Sequence, residues 1–252
     1  MALHPASLGE LVAAARSATE PPWPVWPPVV VRVELDAPVV DAPPLPWWWT
    51  AVVVGISPDP ADDPPALCDV VVADGADVDV DAIEATVTSN PLASTALATL
   101  LRGAAERSTS EGLLAESAVY STLQAGPEFA AWRASRPARE RTDAGPRVRV
   151  ERDGDALHIT LTRAAVRNAF DTAMRDQLVE GLQLAALDDS IAEVHLRGEG
   201  PTFCTGGDLD EFGARPDPAT AHLVRMLQSG GRAIDTVADR VTGHIQSALA
   251  LH

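Results

Sequence analysis

The sequence predicts an α/β protein in two parts: a smaller α/β N-terminal region with a helical segment, and a second α/β module behind it. Three observations lead there. Two β-branched runs, TAVVVGIS and CDVVVAD, lie close together in the first third of the chain. Apolar residues recur at helical spacing across 79–135 and again in DTAMRDQLVEGLQLAALDD. Between alternating segments around Val148 and Ile159 stands Asp153-Gly154, a strong signal for a two-residue hairpin turn.

Residues 1–46 open with a short helix at about 8–16. They pass into PPWPVWPPVVVRVELDAPVVDAPPLP, where so many prolines argue against long helices and central strands. The two β-branched runs read as buried strands joined by a Pro/Asp loop. Residues 80–89 form a helix. Pro91 starts a second, since proline suits a first turn, and Leu92, Ala96, Leu100 and Leu101 give it an apolar face. EGLLAESAVYSTLQAG makes a third, ending near Gly126. The charged stretch ASRPARERTDAGPR, with proline and glycine, reads as a linker. The predicted organisation is therefore 1–135, a linker at 136–146, and a second domain at 147–252.

In that domain Val148 and Val150, then Leu157, Ile159 and Leu161, alternate with polar residues and give a hairpin. Met174, Leu178, Leu182 and Ala185 share one stripe of the following helix. AEVHLRG is the next strand. GPTFCTGGDLDEF turns into a helix, and a longer helix runs from about 218 to 239.

A net charge of −17 argues against nucleic-acid and anionic-membrane partners, which need clustered Lys and Arg. A small anionic ligand is still compatible, because backbone N–H groups and local arginines can bind it. MALHPASLGE lacks the basic and apolar regions of a secretory leader, and the apolar run around 47–56 is too short to span a bilayer. The expectation is a cytoplasmic chain with Cys68 and Cys204 reduced.

Gly206-Gly207-Asp208 follows a strand. Asp208 is a good N-cap, with Glu211 placed to complete a capping box. A glycine pair lets a ligand approach the backbone closely, and free N–H groups at a helix start favour negative charge. That is what stabilising a carbonyl oxyanion requires. A turn with no chemistry reads the same way from these residues alone.

LTRAAVRNAF and the later FCTGGDL resemble the enoyl-CoA hydratase/isomerase (crotonase) superfamily. Its members read L-x-R-P-x-x-x-N-A-L, then a helix, a strand and G-x-x-F-(C/S)-x-G-x-D-L. Arg163, Arg167, Asn168 and Ala169 match the first motif; Gly198, Phe203, Cys204, Gly206, Asp208 and Leu209 match the second. RAAV departs from the usual R-P-E-x. The resemblance implies a partial crotonase-like ββα superhelix at about 147–240, an acyl-CoA thioester as substrate, coenzyme A only as part of that substrate, and no separate cofactor. It implies the Gly207 N–H, beside Gly206, as one oxyanion donor stabilising an enolate. Phe203 and Thr205 would lie along CoA, with Asp208 at the helix start. Arg167 would meet a CoA phosphate, although a solvated loop arginine fits equally. A homo-oligomer, trimer or hexamer, and fatty acid metabolism are implied too.

The family's second glycine-rich turn and its acid/base carboxylates have no counterpart in DRVTGHIQSALALH. The helices at about 79–135 resemble the superfamily's C-terminal helices, a likeness any amphipathic pair could share. Two functions therefore stand: a hydratase or isomerase acting through an enolate, or a truncated chain or pseudoenzyme with a CoA-binding or assembly role. Cys204 lacks a paired histidine for nucleophilic work. His158 and His195 lack metal-ligand spacing, so no metal is expected. Asp210 and Glu211 read as caps or solvated charges, and the acidic stretch at 59–81 as a solvated face. The tryptophans at 47–49 serve either packing or an oligomer contact.

Overall fold

The computed structural model describes residues 4–5, 7–17, 23, 26–35, 42–58, 66–73, 80–136, 145–214 and 217–245. It divides into two compact units: Met1–Ser108 with Gly126–Glu128, and Thr109–Ala125 with Phe129–His252. Most of the expected linker and acidic loop lies outside the described residues. The third predicted helix, found at 109–124, falls in the second unit, where it packs with elements C-terminal to it.

The first unit is a parallel sheet of β1 (His4–Pro5), β2 (Val30–Glu34), β3 (Val52–Ser57) and β4 (Val70–Ala73), in that order. Helix α1 (Leu8–Ser17) follows β1, while α2 (Val80–Ser89) and α3 (Pro91–Arg102) follow β4. β3 is buried from Val52 to Ile56, as a parallel strand covered on both faces must be. The proline argument fails at β2, which is paired on both sides. Its five residues contain no proline, so every backbone N–H needed for the ladders is present. On α3 the fully buried residue is Ala98, and Leu101 is exposed, so the apolar face is turned from the one predicted.

Arg102, at the end of α3, forms a buried ion pair with Asp69, at 2.6 Å. It also donates to the carbonyls of Trp49 and Ala51, and Asp69 accepts from Val53 N–H at 2.8 Å. The pair thus ties α3 to the start of β3. Trp23 and Trp49 are buried edge to face, whereas Trp26, Trp47 and Trp48 are exposed.

The second unit begins with α4 (Thr109–Gln124) and includes most of α5 (Pro127–Ser135). The predicted hairpin is present as β5 (Val148–Asp153) and β6 (Ala156–Leu161), with Gly154 at φ +62° in the turn. Then come α6 (Thr172–Leu187), β7 (Glu193–Gly198), α7 (Pro218–Leu227), α8 (Gly230–Thr236) and β8 (Val241–His244). The sheet order is β5-β6-β7-β8, antiparallel at the hairpin and parallel beyond it. Met174, Leu178, Leu182 and Ala185 of α6 bury against Leu157, Ile159 and Val194, so the predicted stripe is the core.

Two predicted helices are different here. The residues after Asp208 form successive turns rather than a helix: Asp208 Oδ1 accepts from Asp210 N–H at 3.1 Å, as a cap would, while Oδ2 meets Arg163. The 218–239 helix is broken in two, since Ser229 caps α8 through Arg232 N–H and Gly230-Gly231 is a poor helix interior. β8 lies within a segment read as helix end and tail. Helix α4 packs on α7 and α8.

The two cysteines have opposite environments. Burial, helped by the charge of Asp69, pushes the Cys68 thiol up to about 11. Cys204 is partly exposed, and its sulfur accepts from Gly206 N–H at 3.3 Å. An Ellman titration near neutral pH should modify one thiol of the native chain, and Cys204→Ser should remove it; Cys68 should react only in denaturant. Fast reaction of both would contradict this packing.

Candidate functional site

The site is built on the loop between β6 and α6. Arg163 opens that loop and is buried to 3% side-chain exposure, with carboxylates on two sides. Its Nη1 lies 3.1 Å from both Asp171 Oδ2 and Asp208 Oδ2, and it also donates to the carbonyl of Ala169. Arg147 adds a second guanidinium to Asp171, at 2.9 Å. Asp171 in turn caps α6 by accepting from Met174 N–H. A buried charge is tolerated when it is paired and hydrogen-bonded, and here every member has both.

Asn168 supplies the second tie. Its Oδ1 accepts from Arg163 N–H at 2.9 Å, and its Nδ2 donates to the carbonyls of Glu199 and Thr202. Arg167 and Asn168 both take positive φ, 54° and 55°, a strained choice that these bonds hold in place. Gly198 closes the arrangement: a Cβ there would fall 2.4 Å from the Phe203 carbonyl oxygen and 2.7 Å from Asn168 Nδ2.

These ties set the two matched motifs edge to edge. Phe170 N–H donates to the Gly206 carbonyl at 2.8 Å, and Asp208 N–H donates to the Phe170 carbonyl at 2.9 Å. The pairing skips Gly207. Gly207 is an exposed residue, and among the described residues its N–H has no hydrogen-bond acceptor. Gly206 takes φ +85°, the left-handed region that favours glycine.

Over Gly207 lies Phe212, whose ring would meet an added Cβ at 2.7 Å. Phe212 belongs to an aromatic group with Tyr120, 6.0 Å away, and Trp132, 6.1 Å away. Phe170, Phe212, Tyr120 and Phe129 line a cavity of about 540 Å³. Glu211 and Asp217 also line it, each holding a helix start: Glu211 accepts from Thr172 N–H, and Asp217 accepts from Thr220 N–H. A second cavity of about 290 Å³ shares Tyr120, Phe170, Arg175 and Arg225 with the first.

Gly206, Gly207 and Asp208 are therefore brought to the loop that contains Arg167. Asp208 differs from expectation: its carboxylate caps no helix of its own and sits buried on Arg163. Phe203 packs against the core, Thr205 is half-buried, and Arg167 is exposed. Sequence reasoning missed Phe170, Phe212, Tyr120 and Arg225. The partners come from distant segments, so no spacing rule links them. Among the described residues no group of three or more His, Cys, Asp or Glu could hold a metal, and no helix is long and apolar enough to cross a membrane.

No family model matches the chain. It is 38% identical over 76 residues to 2,3-dehydroadipyl-CoA hydratase of Escherichia coli (strain K12), covering 30% of each chain. Identity is 36% over 74 residues to enoyl-CoA hydratase EchA19 of Mycobacterium tuberculosis, covering 29% of this chain and 28% of the relative. A solved enoyl-CoA hydratase/carnithine racemase from Magnetospirillum magneticum matches at 30% identity with a TM-score of 0.34, over 40% of this chain and 39% of that one. The chain thus spans about 30% of the length of the curated relatives it matches.

Replacing Arg163 tests the clamp. Arg163→Met would leave Asp208 buried without that guanidinium, and breaking such a buried pair costs about 3–5 kcal/mol. The expected readout is an earlier urea transition of the second unit, with faster hydrogen exchange at the Phe170 and Asp208 amides. Unchanged exchange at both amides would show that Arg163 does not hold the motifs together.

Proposed function

We propose, from the premise that one part of this chain is similar to the enoyl-CoA hydratase/isomerase (crotonase) family, that the second unit binds an acyl-CoA thioester at Gly207. The observation that supports this most directly is that Gly207 is exposed and its N–H has no acceptor among the described residues. Phe170 pairs with the backbone on both sides of it and also lines the cavity. A donor fixed before the substrate arrives needs no reorganisation when charge develops on the thioester oxygen. In this reading the N–H polarises the thioester carbonyl and stabilises the enolate formed when water, giving up a proton to a base, adds to the β-carbon; the enolate then takes a proton at the α-carbon. The acyl group enters the cavity beside Phe170. Arg167, exposed on the facing loop, meets a CoA phosphate, and Thr205 lies along the nucleotide arm. Coenzyme A enters as part of the substrate.

A second reading, thioester binding without efficient catalysis, is favoured by the state of the carboxylates. Asp171, Asp208, Glu211 and Asp217 line the cavity, and each is already engaged with an arginine or a helix start. A general base must be free to take a proton. On that observation this chain is expected to bind crotonyl-CoA and to hydrate it slowly.

Calorimetry with crotonyl-CoA beside a hydratase assay separates the readings. Gly207→Pro removes the N–H and should weaken binding; where turnover is measurable, it should fall by about 10²–10³. Binding and turnover unaffected by Gly207→Pro would sink the assignment of the donor. Efficient turnover by the unaltered chain would dismiss the non-catalytic reading.

A further inference from the structure

Arg225 is unusual among the inward arginines of the second unit. Arg147, Arg163 and Arg175 each have a carboxylate partner. Arg225 lies between α4 and α7 and, among the described residues, has no carboxylate within ion-pair distance. Neutral groups hold it instead. Its Nε donates to Ser117 Oγ at 3.1 Å, and its Nη2 donates to the Ser117 carbonyl at 3.2 Å and to Ser121 Oγ. Its guanidinium lies 4.6 Å from the centre of the Tyr120 ring. His222 Nδ1 is 2.9 Å from the same Ser117 hydroxyl, which extends the network along α7.

Such a network orients a cation without neutralising it. Burial already acts against the charge, lowering the affinity of the guanidinium for its proton, with Tyr120 and Glu116 opposing that effect through space. A preformed, half-buried guanidinium that lines a cavity is suited to an oxyanion, and here Nη1 is the nitrogen that the serines do not engage. Arg225 lines both cavities, and so does Phe170, the residue paired around Gly207. Leu113 and Met226 also line the smaller cavity. An acyl chain running from Gly207 past Phe170 would therefore cross apolar surface and end near a cation.

We propose that the acyl group taken by this site ends in a carboxylate, and that Arg225 is the residue that selects it. The proposal rests on the thioester reading of Gly207 and names the substrate class for that same site. Glu116, Glu211 and Asp217 line the cavities as well. Their charge, Glu116 beside Arg225 included, disfavours a bare anion that lacks the apolar chain and the CoA arm.

The test is calorimetry on the full chain with saturated thioesters, which do not turn over by hydration. Succinyl-, glutaryl- and adipyl-CoA are compared with butyryl-, valeryl- and hexanoyl-CoA, length for length. A charge-assisted pair in a sheltered site should favour at least one dicarboxylate over its matched monocarboxylate by about tenfold or more. Arg225→Met should bring that ratio to about one while leaving the monocarboxyl thioesters within about twofold, and Arg225→Lys should keep part of the preference. Binding of the monocarboxyl thioesters with no preference in the unaltered chain overturns the role of Arg225 alone. Absence of binding by all six overturns the thioester reading and this inference together. The first comparison uses only the unaltered chain, so it stands even if Arg225→Met fails to fold.

Discussion

One buried guanidinium organises the second unit. Arg163 meets Asp171, which starts α6, and Asp208, which closes the glycine turn, and its backbone N–H is held by Asn168. The loop from Arg163 to Asp171 and the distant glycine turn at Asp208 are fixed by groups that would be costly to bury singly. The chain takes positive φ at Arg167 and Asn168, and the Asn168 bonds to Glu199 and Thr202 keep it there. The free N–H of Gly207 is a by-product of the same geometry: Phe170 pairs with Gly206 and Asp208 and leaves the residue between them unpaired.

The wall around that N–H has a different physical origin. Phe212 follows the glycine turn, but its neighbours Tyr120 and Trp132 precede the hairpin in sequence. Helix α4 shows why. Ser117 and Ser121 are buried on it, and they face Arg225, His222 and the Pro218 carbonyl of α7. A helix interface built on serines lets a guanidinium lie close to the backbone, so one contact holds the helices together and lines the cavity. The first unit repeats the device in simpler form, with Arg102 and Asp69 joining α3 to β3.

Periodicity and turn chemistry made the secondary structure legible. The hairpin at Asp153-Gly154, the α6 stripe from Met174 to Ala185 and the proline start of α3 all follow from local rules and appear where those rules place them. Local rules failed where tertiary partners competed for the same group. Asp208 has the sequence of an N-cap and one of its oxygens does accept from Asp210 N–H, but the other is held by a buried arginine and the segment forms turns rather than a helix. Residues 218–239 have helical spacing throughout, yet Ser229 starts a second helix. β2 lies in a proline-rich region, but what mattered was the proline-free run of five residues within it.

The sequence by itself determined the α/β class, the two glycines at a strand end and the motif pair that marks the family likeness, because these depend on residue type at short range. Only the tertiary structure decided which groups stay free. That Gly207 keeps an open N–H, that the carboxylates around the cavity are engaged, and that Arg225 has no carboxylate within ion-pair distance among the described residues are outcomes of packing. Each depends on which distant group reaches a donor or acceptor first, and no spacing along one chain encodes that competition.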